Sequence, residues 1–293
     1  MKTVSYSQFS IYLQCPLKWK LDYVDNLRSF DHNINTTFGS AFHATVQNYL
    51  QVMYDESAKK ADEIDLGHFL RESMMTEYKN SLLKNNNQHY STAEQLAEYY
   101  EDGVAILSYF KRHRSAYFSS RQHSLLGIET PLSLQLRNNI KFTGFIDIVI
   151  KDHRDGRIKI YDIKTSTAGW NKHQKADKAK TSQMILYKEF YAQQYNVDVE
   201  DIDIEYVIVR RKINQDLEFV PKRIQTFIPA SGKVTRNKII RLFNEFLDNC
   251  FTEDGQYNLN GCYPAYQSSA CNYCSYAKES ALCPKSERIK NEK

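Results

Sequence analysis

Long apolar runs are missing from this sequence, since no stretch approaches the ~20 residues that a transmembrane helix needs. The N-terminal segment, Met1–Tyr6, also lacks the apolar run of a signal peptide. Glycine and proline are scarce, at 10 and 6 residues, and together with 25% charged residues this excludes collagen, an extended disordered chain and a small disulfide scaffold. We therefore expect a folded protein without a membrane partner, in the cytoplasm or, if a phage encodes it, in the host cytoplasm.

Neither sign of charge is in large excess, because 39 Lys and Arg face 35 Asp and Glu, a net charge of +4. One basic groove on a balanced protein would give the same total, so the net charge alone does not indicate nucleic-acid binding. The 293 residues, 42% of them hydrophobic, allow one large or two small domains with a sizeable core. Six cysteines in a reducing compartment suggest a metal site or catalysis before disulfides.

Hydrophobic periodicity predicts an α/β protein. Helical spacing appears over 5–27 and over 38–55, and the second segment carries a buried stripe of Phe42, Val46, Tyr49, Leu50 and Met53. The chain divides by pattern into N-terminal helices (1–55), a polar helical insertion (56–126), a core (127–252) and a cysteine-rich cap (253–293).

Within the core the apolar period changes to two, which predicts strands around 132–136 and 146–150. Asp155-Gly156 favours a tight hairpin turn, with a returning strand over 158–165. We expect four further elements after a basic loop: a helix to about Gln194, strands over 202–210 and 222–228, and a helix over 235–250.

The predicted hairpin gathers three charged side chains. If Asp155-Gly156 is a two-residue turn, Lys164 lies opposite Asp147 and Asp162 lies opposite Val149. Asp147, Asp162 and Lys164 then project from one face, because residues two apart on a strand point the same way. Three apolar side chains face the other way in this register: Ile146, Ile148 and Ile150.

Two carboxylates on neighbouring strands can hold Mg²⁺, which prefers oxygen ligands and keeps several waters. A lysine beside them can position or deprotonate an attacking water, so the set suits metal-assisted hydrolysis of a phosphodiester. The alternative is that Asp162-Ile163-Lys164 is an exposed strand end with an ordinary ion pair.

Four short segments resemble the successive motifs of the PD-(D/E)XK nucleases, and more narrowly the RecB-like branch. They are Gly39-Ser40-Ala41-Phe42-His43, Gly144-Phe145-Ile146-Asp147, Tyr161-Asp162-Ile163-Lys164-Thr165 and Gln183-Met184-Ile185-Leu186-Tyr187. That branch includes the CRISPR-associated RecB-like exonucleases and the AddB nuclease domain. The resemblance implies a nuclease core in which a mixed sheet is flanked by helices. The sequence departs from the nominal pattern in lacking a proline before Asp147 and in having Asp rather than Glu at 162.

The resemblance also implies the roles of individual residues. It makes Asp147, Asp162, His43 and the backbone carbonyl of Ile163 ligands of Mg²⁺ or Mn²⁺, with Lys164 as the catalytic lysine. By the same resemblance, Gln183 and Tyr187 line the active site, and Glu129 corresponds to an acidic residue that some members carry on the preceding strand. The plain alternatives are a boundary histidine at 43 and an ordinary helix edge at 183 and 187.

Four cysteines form a second candidate site. Cys271 and Cys274 make a C-x2-C turn, Cys283 follows nine residues later, and Cys15 offers a fourth ligand. The resemblance implies a [4Fe-4S] cluster that joins the two termini; a structural Zn²⁺ site is the alternative. Of the other two cysteines, Cys250 is expected in the core. Cys262 is the only other candidate ligand, and the alternative for it is a partly buried free thiol.

Two basic segments are candidates for nucleic-acid binding. The first contains Trp170, Lys172, Lys175, Lys178 and Lys180, and lysines with an aromatic ring can contact phosphates and stack a base. The second is Arg210 and Arg211 at a strand end. A solvated lysine-rich loop is the alternative for the first segment.

Together these patterns predict a Mg²⁺- or Mn²⁺-dependent deoxyribonuclease, acting as an exonuclease on single-stranded DNA or DNA ends. Recombination, repair or phage DNA metabolism is the expected setting, with a helicase or recombination partner. Two alternatives stay open: a non-catalytic nucleic-acid-binding subunit, and an endonuclease of the restriction or junction-resolving kind.

Overall fold

A mixed sheet flanked by helices, as predicted, forms the centre of the computed structural model, which describes residues 1–28, 32–137 and 139–290. The strands of this sheet are β1 (Lys2–Val4), β2 (His123–Arg137), β3 (Ile140–Asp152), β4 (Ile158–Ser166), β5 (Ile202–Arg210) and β6 (Ile224–Phe227). A small pair near the C-terminus comprises β7 (Tyr266–Gln267) and β8 (Ile289–Lys290).

The helices are α1 (Tyr6–Gln14), α2 (Pro16–Tyr23), α3 (Ile34–Asp55), α4 (Ala58–Asp62), α5 (Leu66–Lys84), α6 (Ala93–His113), α7 (Lys172–Ala176), α8 (Lys178–Tyr195) and α9 (Lys233–Cys250). None of these helices is long and apolar enough to cross a membrane.

The strand order β1-β3-β4-β5-β6, with β2 on the other side of β3, places β3 and β4 at the centre. The β3–β4 pair is antiparallel, whereas β4 and β5 are parallel. A parallel pair needs a crossover connection, and α8 supplies it between β4 and β5. On one edge of β3 the ladders with β1 and β4 leave positions 143–147 without a partner strand in the described chain, so the sheet opens there.

The sheet separates two apolar cores. Along β5, Ile204 and Ile208 lie in a core with α1, α8 and α9, while Val207 and Val209 lie in a core with α3, α5 and α6. This alternation is what the period of two predicts. The predicted stripe on α3 is buried in the second core: Phe42, Val46, Tyr49, Leu50 and Met53.

The predicted register of the β3–β4 hairpin is wrong by two residues. Ile148 pairs with Tyr161, which places Asp162 rather than Lys164 opposite Asp147. The connection is longer than a two-residue turn, because Asp152 N–H already bonds to the carbonyl of Arg157. A shift by an even number keeps every side chain on its face, so the predicted grouping of the charged residues survives.

Ile146 is a second correction. Ile148 and Ile150 lie in the second core, but Ile146 packs in the first, so the three isoleucines do not share a face. Opposite this point on β2, Glu129 has φ of +47°, in the left-handed region, and the β2–β3 pairing skips it. The register is the same on both sides of this point, so no residue is inserted, but the alternation of faces along β3 is interrupted between Ile146 and Ile148.

The predicted basic loop is partly helical. Asn171 begins α7 with a capping box, and the side chain of Asp177 accepts a hydrogen bond from Ala179 N–H at the start of α8. These two caps stabilise helix starts inside a segment that otherwise has the composition of a loop.

Candidate active site

Asp147 and Asp162 lie where β3 and β4 separate. The regular ladder ends at Ile148 and Tyr161, and the next backbone donor, Ile163 N–H, bonds to Asp147 Oδ2 at 2.7 Å. A side-chain carboxylate therefore replaces the strand carbonyl that would otherwise satisfy this amide. Asp162 is 2% exposed and the side chain of Asp147 is 13% exposed, so both carboxylates lie in a gap of the sheet that is largely shielded from solvent.

Lys164 pairs with Asp162. Its Nζ donates a hydrogen bond to Asp162 Oδ1 at 2.9 Å and lies 2.8 Å from Oδ2. Oδ2 nevertheless accepts no hydrogen bond of good geometry from the described residues, although it is buried. One oxygen of this carboxylate thus remains available to another ligand.

His43 approaches the same gap from α3. Its Nδ1 is 3.6 Å from Asp147 Oδ2, and the side chain is 24% exposed. Gly39, one turn earlier, lets the helix pack closely on β4, because a Cβ there would lie 3.3 Å from Thr165 Oγ1. The spacing of Gly39 and His43 in the sequence therefore has a structural reason.

Gln47 was missed by the sequence analysis. It lies four residues after His43 on the same helix face, is 7% exposed, and donates to Glu129 Oε1 at 2.6 Å. The same nitrogen lies 3.4 Å from the carbonyl oxygen of Asp147. The only signal for it in the sequence is its spacing from His43. Glu129, predicted as an additional ligand, is thus held beside Asp147 by a buried amide.

The structure also brings Tyr187 and Gln183 to the site. Tyr187 is 5% exposed, and its hydroxyl would lie 3.1 Å from a Cβ at Gly144, so the glycine permits the ring to approach β3. Burial raises the pKa of Tyr187 to about 12, while a hydrogen bond from Gln183 lowers it. The charges of Asp162, Lys164 and Asp147 also act on this phenol, which places it next to the carboxylates.

The electrostatics of the site favour a bound cation. Burial raises the pKa of both Asp147 and Asp162 to about 6, against the opposing effect of Lys164. Burial lowers the pKa of His43, and the charge of Lys164 adds to this. Burial would also lower the pKa of Lys164, but Asp162 and Asp147 raise it overall, so Lys164 is an ammonium ion and a hydrogen-bond donor here.

The donor set fits Mg²⁺ or Mn²⁺. The carboxylate oxygens of Asp147 and Asp162 are hard ligands, and Asp162 Oδ2 accepts no hydrogen bond from the described residues. Mg²⁺ is commonly held by one or two carboxylates together with water and substrate. In the described residues, no three His, Cys, Asp or Glu side chains are grouped closely enough to hold an ion by themselves. A site of this kind would therefore be completed by water, a backbone carbonyl or substrate.

Cys15 lies against the C-terminal segment, at the junction of α1 and α2. Its Sγ accepts a hydrogen bond from Tyr266 N–H at 3.5 Å, and Cys271 Sγ contacts the carbonyl of the same residue at 3.5 Å. Burial raises the pKa of Cys15, and the charges of Cys283 and Cys274 raise it further. All four predicted ligands are free thiols. Cys15 and Cys271 contact the same residue, but among the described residues no three of these sulfurs are grouped closely enough to hold a metal ion.

An aromatic contact and a hydrogen bond hold α2 on that segment. Trp19 stacks on Tyr263 with ring centres 5.8 Å apart, and Tyr276 donates to Asp22 at 2.7 Å.

Of the remaining cysteines, Cys250 is fully buried, as expected. Cys262 is exposed rather than partly buried.

The predicted nucleic-acid contacts differ in accessibility. Lys172 is exposed, whereas Lys175, Lys178 and Lys180 are half-buried. The ammonium groups of Lys175 and Lys180 lie over the rings of Phe227 and Trp170, at 5.3 and 5.9 Å.

Trp170 itself is partly buried, with its ring 4.9 Å from Tyr206. The two arginines have partners inside the protein. Arg210 donates to the carbonyls of Ala168 and Lys222, and Arg211, which is 12% exposed, pairs with two carboxylates of α6.

Two buried carboxylates, a paired lysine and a histidine on a mixed sheet are typical of enzymes that hydrolyse phosphodiesters with a divalent cation. The sequence model of the PD-(D/E)XK nuclease superfamily matches residues 3–284, and the chain belongs to this superfamily. Membership indicates a nuclease that acts on nucleic acid, and nucleases of this superfamily typically use Mg²⁺ or Mn²⁺.

A comparison with curated proteins finds no match. A solved structure entitled "Crystal structure of SSO0001" is similar over 92% of this chain and 94% of its own, with 13% identity and a TM-score of 0.31. That score is too low to support any inference about this chain.

Proposed function

We propose that the chain is a Mg²⁺- or Mn²⁺-dependent deoxyribonuclease of the RecB-like branch. It acts as an exonuclease on single-stranded DNA or DNA ends, in recombination, repair or phage DNA metabolism. The observation that carries this proposal is the meeting of His43, Asp147, Asp162 and Lys164 in one gap of the sheet. Shielding two carboxylates from solvent destabilises the folded state. A cation-binding active site requires such a pair, whereas a non-catalytic subunit does not.

In this proposal Asp147, Asp162, His43 and the carbonyl of Ile163 hold the cation, and Glu129 adds a further carboxylate. The cation supplies an activated water and offsets charge on the phosphodiester when bound. Lys164, as an ammonium ion, orients the attacking water by hydrogen bonding.

Gln183 and Tyr187 hold the scissile phosphodiester from α8. Trp170, Lys172, Lys175, Lys178, Lys180, Arg210 and Arg211 are the proposed nucleic-acid contacts around this site.

The cysteine-rich segment is proposed to hold a [4Fe-4S] cluster through Cys15, Cys271, Cys274 and Cys283. The approach of Cys15 and Cys271 to the same residue, and the effect of Cys283 and Cys274 on the pKa of Cys15, support this assignment. Zn²⁺ is the alternative occupant. The proposed division of the chain is 1–55, 56–126, 127–252 and 253–293, and a helicase or recombination partner would supply any unwinding.

A comparison of end-labelled linear single strands with circular single strands, each with Mg²⁺, Mn²⁺ or chelator, tests the proposed mode. An exonuclease degrades the linear strand in the presence of the cation and spares the circle. Cleavage of the circle would overturn the exonuclease assignment in favour of an endonuclease. Binding without cleavage of either substrate would instead indicate a non-catalytic subunit.

A further inference from the structure

A groove of about 750 Å³ lies between the basic segment and the cysteine-rich segment. One wall carries Lys178 and Lys180 at the start of α8, and the other carries Ser268, Ser269 and Tyr273. We call this feature the cap groove. Its volume is that of a small-ligand pocket, so it could take a few nucleotides of a single strand but not a duplex.

Positive charge on the cap groove is not neutralised by its own lining. Lys238 of α9 lies one turn before Leu242, which lines the groove, and on the same helix face. It is beside Lys178, and burial together with this like charge lowers the pKa of Lys178. The lining contains one carboxylate, Asp177, which caps the first turn of α8 through Ala179 N–H. Two neighbouring ammonium groups repel each other, and a phosphate placed between them would relieve this repulsion.

Tyr273 presents an aromatic ring at the other wall. The residue is 92% exposed and lies between Cys271 and Cys274, in a 3₁₀ turn over Ser269–Tyr273. An exposed aromatic ring is a platform on which any base can stack. The serines beside it offer hydroxyl groups for sugar or phosphate oxygens.

Helix α8 connects the lining of the cap groove, which ends at Lys180 on this helix, with the predicted active-site residues Gln183 and Tyr187. Lys180, Gln183 and Tyr187 are spaced i, i+3 and i+7, so they follow one face of the helix. The rise from Lys180 to Gln183 is about 4.5 Å along the helix axis. A strand in the groove would therefore reach the predicted catalytic residues within about one helical turn.

We propose that the cap groove binds a single strand of nucleic acid next to the active site, with Lys178 and Lys238 on its phosphates and Tyr273 stacked on a base. This inference rests on the proposed nuclease function. It gives the cysteine-rich segment a role in substrate binding in addition to joining the termini.

Fluorescence anisotropy of a labelled oligothymidylate of about 12 nucleotides tests the groove, with chelator present so that no cleavage occurs. Tyr273→Ala should weaken binding about tenfold, while Tyr273→Phe, which keeps the ring, should bind like the wild type. The double variant Lys178→Gln/Lys238→Gln should reduce the magnitude of the salt slope by about 1.4, the value for two lost phosphate contacts on a single strand.

Matched controls lie away from the groove. Tyr195→Ala removes another exposed tyrosine, and Lys79→Gln/Lys84→Gln removes two exposed lysines of α5; both should bind like the wild type. Equal affinity and salt slope in the groove variants and the controls would overturn the groove while leaving the nuclease proposal intact. A wild-type protein that neither binds the oligonucleotide nor degrades it would overturn the nuclease proposal itself.

Discussion

Replacing Asp162 with asparagine should stabilise the cation-free protein at pH 8. Burial raises the pKa of this carboxyl from its ordinary 3.8 to about 6. Because the folded state then holds the proton more tightly than the unfolded state, the free energy of unfolding falls as the pH rises from 3.8 to about 6. Above about pH 6 the ionised carboxylate of Asp162 lowers the free energy of unfolding by about 3 kcal/mol. This follows because each unit of pKa shift corresponds to ~1.4 kcal/mol.

Asparagine removes this cost but weakens the contact with Lys164, which is 2.9 Å from Asp162 Oδ1. Subtracting about 1–2 kcal/mol for the weakened hydrogen bond, we expect a net gain of about 1–2 kcal/mol at pH 8. The midpoint of thermal unfolding should rise by about 2–4 °C per kcal/mol. Near pH 4 the gain should vanish, since the wild-type carboxyl is then protonated in the folded state.

Thermal unfolding in chelator at pH 8 and near pH 4 measures this effect. Asp203→Asn is the control of opposite sign, because its hydrogen bond with Arg157 lowers the pKa of Asp203, so losing its charge should destabilise the protein at pH 8. Adding Mg²⁺ should raise the midpoint of the wild type but not of Asp162→Asn. If Asp162→Asn instead lowers the midpoint in chelator as Asp203→Asn does, Asp162 is an ordinary ion-pair partner and the reasoning is refuted.

Three further substitutions test other parts of the site. Gln47→Ala should weaken Mg²⁺ binding about tenfold, because Gln47 holds Glu129 and the backbone of Asp147 in place by hydrogen bonds. Calorimetry measures this affinity, and an unchanged value in a folded variant would show that Gln47 has only a packing role. Gly144→Val should lower kcat by displacing Tyr187, whose hydroxyl would be 3.1 Å from the new Cβ, and wild-type kcat would contradict this. Cys271→Ala should remove absorption near ~400 nm from anaerobically purified protein, and an unchanged spectrum would exclude the cluster.

Sequence periodicity predicted the main features of the sheet because most of its residues alternate regularly between two cores. The hairpin register failed by two residues, since Asp155-Gly156 resembles a tight turn while the real connection is longer. The face of each charged residue was still right, because an even shift preserves it. Ile146 was placed wrongly because the interruption of the alternation between Ile146 and Ile148 leaves no pattern in the sequence.

Long-range partners were also beyond sequence reasoning. Gln47 is a common residue on a helix, and only the fold shows that it meets a glutamate 82 positions later. Arg211 looked like a free phosphate contact, but its partners, Glu98 and Asp102, come from the helical insertion. The cap groove is another long-range feature. It forms only because the C-terminal segment with Tyr273 packs near Leu13 and Gln14 of the N-terminal segment.

The central claim is that Asp147, Asp162 and Lys164 form a cation-dependent nuclease site. The most direct test is the rate at which wild-type protein, Asp162→Asn and Lys164→Met release label from an end-labelled single strand as Mg²⁺ is titrated. The account predicts Mg²⁺-dependent release by the wild type and a loss of at least about 10²-fold in both variants, with circular dichroism unchanged. Release by either variant at the wild-type rate, or release that persists in chelator, would contradict it.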